Sequence, residues 1–160
     1  MYDYKTETME ISNNCVLLLK HYEGCKLNAY KCSAGIWTIG YGNTFFEDGR
    51  PVKQGDSITQ AQAEEMLPLI LTKFAQAVFA KTAKMEQCEF DALVCFTYNV
   101  GIKAFEASTM LKKIRKELPS AEIVVEFHKW NKAKGKVLKG LVRRRAAEAH
   151  LYEYGKVKIF

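Results

Sequence analysis

The feature that most constrains this chain is a change of character at Gly24. Before it, the segment CVLLLKHYE (residues 15–23) reads as a short apolar helix. Ser12 or Asn13 can cap its start, and Gly24 is placed to end it. After it, over residues 27–44, strand formers take over: Tyr30, Ile36, Trp37, Thr38, Ile39 and Tyr41. Ser33-Ala34-Gly35 supplies a turn, so a small hairpin or a three-stranded sheet is expected. Gly40 and Gly42 flank Tyr41 and point to a bulge or a close backbone approach. Residues 47–57 are polar and turn-rich.

The rest of the chain reads as helix. Thr59 with Gln62 has the form of a capping box, and a helix is expected from there to about residue 81. Pro68 lies inside it, removes a backbone donor and is expected to kink it. From about residue 82 only helices are expected, over 86–99, 105–117, 120–129 and 140–154. Pro119-Ser120 separates two of them, and Gly135 and Gly140 bracket a loop before the last. There is no βαβ rhythm and no internal repeat. The pattern implies an α+β fold, mostly α, within a single domain spanning residues 1–160. Residues of about 12–59 form a lobe with a small sheet, 60–81 a long connecting helix, and 82–160 a helical lobe. A cleft between lobes suits an elongated substrate.

Composition narrows the function classes. Of 160 residues, 48% are apolar, enough for a core and too many for a disordered chain. The net charge of +6 favours polyanions such as nucleic acid, membrane surfaces or bacterial envelopes without choosing among them. Arg143-Arg144-Arg145 is the densest basic run. Consecutive helical residues point in different directions, so the three do not form one patch, and at least one is expected to pack internally. No nucleic-acid-binding motif accompanies them. The five cysteines (Cys15, Cys25, Cys32, Cys88 and Cys95) are odd in number and form no CxxC pair. Neither a disulfide framework nor a zinc site is expected, and a reducing cytoplasm is the expected place of synthesis. Cys15, Cys88 and Cys95 sit among apolar residues and read as buried small hydrophobes. His21, His128 and His150 show no metal-ligand spacing, and no cofactor is expected. The N-terminus is polar and acidic, and no stretch is long and apolar enough to cross a bilayer.

Glu23 draws attention on physical grounds. It closes an apolar helix, where the helix dipole is negative and partial burial adds to the cost of a carboxylate. A carboxyl that keeps its proton near neutral pH can donate it to a glycosidic oxygen. By position alone, a solvent-facing glutamate at a helix end is the commoner case.

The surrounding segment decides between these readings. EGCKLNAYKCSAGIWTIGYGNT, with Glu23-Gly24, Tyr30, Cys32 and Thr38-Ile39-Gly40-Tyr41-Gly42, resembles the active-site segment of the T-even and lambdoid phage lysozymes, glycoside hydrolase family 24. Nine residues separate Glu23 from Cys32, and six more lead to Thr38. Phe90-Asp91-Ala92-Leu93, Tyr98-Asn99-Val100-Gly101, Ser108-Thr109 with Leu111, Trp130 and GKVLKGLVRRRAAE extend the resemblance over about residues 12–154. It implies a lysozyme-like fold and an endolysin cutting the β-1,4 bond between N-acetylmuramic acid and N-acetylglucosamine of peptidoglycan. Glu23 would be the general acid. Cys32 would stabilise developing positive charge or help a nucleophilic water, and Thr38 would hold that water through its hydroxyl. Water attack with inversion is the outcome implied for the family. Tyr98, Asn99 and Ser108 would line the saccharide site.

Two positions depart from the commoner pattern. Cys32 stands where an aspartate is usual, and Asn43 stands where many members carry a histidine of structural role. The resemblance also implies a monomer made in the host cytoplasm, reaching the wall once a holin permeabilises the membrane. The competing readings are a peptidoglycan-binding protein without catalysis, and a basic membrane-active protein. A lytic transglycosylase would differ in leaving an anhydro sugar.

Overall fold

Ser12 opens the first helix, α1 (Asn13–Glu23). Its hydroxyl oxygen accepts from the Asn14 N–H at 3.2 Å, and its proton goes to Asp91 Oδ2 at 2.5 Å. The cap is therefore tied to a buried carboxylate far along the chain, which also accepts from Ser12 N–H and from Gln87. Gly24, at φ 65°, ends α1 by taking the left-handed conformation that side-chain-bearing residues resist. The computed structural model describes residues 8–32, 34–82 and 85–160. Ser33 of the expected turn and the first seven residues lie outside these.

The described chain divides into two compact units. One is Leu19–Lys73; the other joins the residues up to Leu18 to Phe74–Phe160. The first holds the sheet expected from the sequence. Strands β1 (Lys26–Lys31) and β2 (Trp37–Gly40) pair antiparallel, with Tyr30 opposite Thr38 and Lys31 opposite Trp37. The register shifts between Lys26 and Tyr30, so the bulge lies in β1. The close approach inferred at the paired glycines is at Gly40. Its φ is 65°, and a Cβ there would lie 3.4 Å from Asn43 Oδ1 and 3.5 Å from Ile58 Cδ1. The chain turns tightly after it, with Ile39 N–H donating to Asn43 O and Asn43 N–H to Ile39 O, both at 2.9 Å. Ile39, Ile58, Ala63, Leu67 and Leu71 are buried together with Leu19.

Helix α2 (Gln60–Thr82) begins at a complete capping box. Gln62 N–H donates to Thr59 Oγ1 at 3.1 Å, and Thr59 N–H donates to Gln62 Oε1 at 2.8 Å. The helix continues through Pro68, whose carbonyl accepts from the Thr72 hydroxyl at 2.9 Å.

The second unit is built on α3 (Gln87–Val100), buried without a break from Phe90 to Thr97 and packed against the last helix, α7 (Lys139–Tyr154). A helix apolar on all sides is one surrounded by others. Phe96 meets Phe127 edge-on, with ring centroids 5.3 Å apart, and Phe105, Met110 and Leu151 complete the interior.

The expected helix over 105–117 is in fact two, α4 (Ile102–Glu106) and α5 (Thr109–Arg115). Ser108 separates them: its hydroxyl accepts from Leu111 N–H at 3.1 Å and donates to Phe105 O at 2.6 Å. Helix α6 (Ser120–His128) follows Pro119 as expected. The expected loop before the last helix is a hairpin, β3 (Lys132–Ala133) with β4 (Lys136–Val137). It turns on Lys134 and Gly135, both at positive φ, a backbone twist that suits two-residue hairpin turns. Gly140 lies inside α7 rather than before it.

Two arginines of the basic run do pack internally. Arg144 and Arg145 are buried on Glu148, at 3.0 and 2.8 Å, and Arg144 also donates to the Cys95 carbonyl at 3.1 Å. All five cysteines are free thiols. Cys15 and Cys95 are fully buried, whereas Cys88 is only partly so, with its sulfur 3.6 Å from the Tyr152 carbonyl.

Candidate active site

Three of the six candidates are placed by local features of the Leu19–Lys73 unit. Glu23 is the last residue of α1, half-buried, one residue before the left-handed Gly24. Cys32 follows β1 directly. The turn returns the chain to β2 through two backbone bonds on Cys32, its N–H to Ile36 O at 3.0 Å and Gly35 N–H to its carbonyl at 2.8 Å. Thr38 is on β2, buried, opposite Tyr30.

The hairpin thereby brings Cys32 and Thr38 together. The N–H groups of Ile36 and Ala34 draw the Cys32 thiol below the ordinary thiol range. Its desolvation opposes them, and the Thr38 hydroxyl adds to their effect. The Thr38 hydroxyl also lies 3.0 Å from the Ile36 carbonyl oxygen, so it sits between an acceptor and a sulfur. Tyr30 ties in the remaining member. Burial first, then the charges of Cys32 and Glu23, push its hydroxyl above the usual phenol range. Tyr30 thus shares one electrostatic neighbourhood with both.

The same unit holds a network that the sequence did not announce. Tyr41 donates to Glu64 Oε1 at 3.1 Å, and Gln60 donates to both Tyr41 and Glu64 at 3.0 Å. Lys20 forms an ion pair with Glu64. The Cys25 thiol is raised first by burial, against the Tyr41 hydroxyl, which lowers it. Only the i, i+4 spacing of Gln60 and Glu64 hinted at this, because the partners, Lys20 on α1 and Tyr41 just after β2, are distant in sequence. Asn43 is buried and donates to Met66 O at 3.1 Å, a structural bond that fixes the turn after β2 to α2.

The other three candidates lie in the second unit. Asn99 is exposed near the end of α3, and its Oδ1 accepts from Arg145 at 2.8 Å. That bond fixes which end of the amide faces Arg145 and leaves the NH₂ group for other partners. Tyr98 is half-buried with its ring 5.0 Å from that of Phe74. Ser108 is buried, with its proton committed to Phe105 O. Among the described residues, no group of His, Cys, Asp and Glu is arranged to hold a metal ion.

The phage lysozyme family model matches residues 20–148, which contain all six candidates. The endolysin of Acyrthosiphon pisum secondary endosymbiont phage 1 is 40% identical over 150 residues, 91% of this chain and 99% of that protein. The endolysin of Salmonella phage P22 is 36% identical, with 90% and 98% covered. Among solved structures, an endolysin from Escherichia coli O157:H7 phage FAHEc1 superposes with a TM-score of 0.82 at 39% identity, covering 94% of this chain and 97% of that one. With the family model matched over residues 20–148 and sequence agreement along nearly the whole length of these relatives, the chain belongs to the phage lysozyme family.

Proposed function

We propose that this enzyme is an N-acetylmuramidase that hydrolyses the β-1,4 bond between N-acetylmuramic acid and N-acetylglucosamine, with Glu23 as general acid. The observation that carries the reading is the hairpin site: a thiol lowered by two N–H groups and a threonine hydroxyl, in one electrostatic neighbourhood with Tyr30, which also feels Glu23. Glu23 gives its proton to the glycosidic oxygen as that bond breaks. Thr38 orients a water by its hydroxyl, and the water oxygen bonds to the sugar carbon from the opposite face, inverting it. Cys32, as thiolate, stabilises the developing positive charge and takes the proton the water releases. Asn99, with its NH₂ group outward, suits an N-acetyl carbonyl, and Tyr98 offers a ring face to a sugar. Ser108 serves the saccharide site through the turn it fixes.

The lowered thiol also favours a second reading, in which Cys32 attacks the sugar carbon itself and water later releases the covalent adduct with net retention. Mass analysis separates these. Digestion of purified peptidoglycan by the wild type is expected to yield reducing N-acetylmuramic acid ends and no adduct on Cys32. Glu23→Gln is expected to abolish this release with an unchanged circular dichroism spectrum. A sugar trapped on Cys32 would establish the second reading, an anhydro sugar would establish a transglycosylase, and full activity in folded Glu23→Gln would overturn the general-acid assignment.

Action on the wall accords with a described chain in which no helix is long and apolar enough to cross a membrane. In this reading the enzyme is made as a monomer in the host cytoplasm and reaches the wall through a holin lesion. Expressing cells should then stay intact until chloroform breaches the membrane.

A further inference from the structure

The +6 charge is not spread over the molecule. Between Glu126 and Glu148 the sequence has eight Lys and Arg residues and no acidic one, leaving 16 basic against 18 acidic residues in the rest of the chain. Structure sorts seven of these eight. Arg144 and Arg145 are buried on Glu148, and Lys129 pairs with Glu126 at 2.8 Å. Lys132, Lys134, Lys136 and Lys139, on the β3–β4 hairpin and at the start of α7, are exposed and pair with no carboxylate among the described residues. Interleaved with them are apolar side chains left in solvent: Val137 at 57% exposure, Leu138 at 44% and Val142 at 40%. The proposed hydrolysis uses none of these residues.

We propose that this hairpin and the first turn of α7 dock on anionic phospholipid, through side chains to which the proposed hydrolysis gives no role. Unpaired lysines answer the headgroup phosphates, and long-range attraction of this kind extends about 8 Å at physiological salt. The exposed valines and leucine distinguish lipid from other polyanions. On a bilayer they leave water by entering the headgroup boundary, whereas a nucleic acid or a phosphate-bearing wall polymer offers them nothing. Trp130, two residues before the hairpin in sequence, is half-buried and packed edge-on against Phe96 at 5.5 Å, so it makes no stacking platform for bases. Adsorption to lipid would hold the enzyme beside the wall it cuts.

The test is co-sedimentation of the full chain with vesicles of phosphatidylglycerol and phosphatidylcholine in equal parts, against phosphatidylcholine alone, over a salt series. Wild type is expected to partition to the anionic vesicles only, less so as salt rises. Lys132→Glu/Lys134→Glu/Lys136→Glu should lose about tenfold or more. Val137→Ser/Leu138→Ser should lose several-fold on the vesicles while binding duplex DNA as wild type does. Both variants should hydrolyse soluble glycan fragments at the wild-type rate, which shows that they are folded and separates this test from that of the hydrolytic site. Should the triple variant misfold, Lys134→Gln/Lys139→Gln replaces it, with a smaller loss expected. Equal partition of wild type to both vesicle types, or undiminished binding by the folded lysine variants, would overturn the proposal. Undiminished vesicle binding by Val137→Ser/Leu138→Ser would also overturn it, marking a bare polyanion patch whose partner is a wall polymer or nucleic acid.

Discussion

In the proposed mechanism Cys32 has an unusual job for a thiol, managing charge and water during glycoside cleavage. Its N–H donors and Thr38 hold it below the ordinary thiol range, which raises its thiolate fraction at neutral pH. If the thiolate is the working form, lysis should fall as pH drops through that lowered value. In Cys32→Asp the same fall should move to lower pH with lysis retained, because a carboxylate ionises earlier than a thiol. Cys32→Ala should lyse more slowly, and Thr38→Val should lose about a hundredfold or more by removing the hydroxyl that orients water. Initial rates of wall clearing over a pH series check all three, and an unmoved profile in Cys32→Asp would show the thiol to be a bystander. Glu23, Cys32 and Thr38 could be named as candidates from the sequence because their types and spacing lie in one continuous segment. The donors from Ile36 and Ala34 were not, since a backbone N–H leaves no mark on the choice of residue. Glu64 was hidden for a different reason: its partners Lys20 and Tyr41 reach it only through tertiary folding.

Among the elements, those with a side-chain signature at their ends were legible. The capping box at Thr59 and Gln62 is reciprocal in the structure, and it starts the helix that carries Glu64. Thr59→Ala should cost about 1 kcal/mol, read as a fall in melting temperature, with hydrolysis at low temperature unaffected. Glycines reported turns faithfully at Gly24 and Gly40. The break between α4 and α5 escaped notice because Ser108 reads equally as a polar residue within a helix and as the cap of a new one; the choice depends on the Phe105 carbonyl it meets. The β3–β4 hairpin escaped because its two-residue strands contain lysine, alanine and a single valine, too short and too polar for period-2 alternation to show. Pairing there comes from the turn at Lys134-Gly135, whose backbone brings the strands together whatever the flanking residues.

At the scale of the whole molecule, burial sets the behaviour of Cys15, Cys95 and Tyr152. Desolvation pushes Cys15 and Cys95 well above the ordinary thiol range and Tyr152 above the ordinary phenol range. A group raised in the folded state holds its proton more tightly there, so its contribution to stability is complete below the unfolded value and disappears as pH rises toward the folded one. Melting temperature should therefore decline above pH of about 8.5, where unfolded thiols begin to ionise, and decline less in Cys95→Ala relative to that variant's own neutral value. A flat profile would show that the buried thiols carry no linkage. The two-unit organisation has a consequence in time. Leu19–Lys73 is one continuous piece of chain, whereas the other unit joins the first turns of α1 to everything after Phe74. On a ribosome, Cys15 and Leu18 emerge before the intervening unit, and the buried partners of their own unit arrive only with the 87 residues from Phe74 to Phe160. At about 5–20 residues per second, that is a wait of roughly 4–17 s. During translation the nascent enzyme thus carries an apolar helical stub whose partners are not yet made, which makes it a natural client for chaperones until α7 is released.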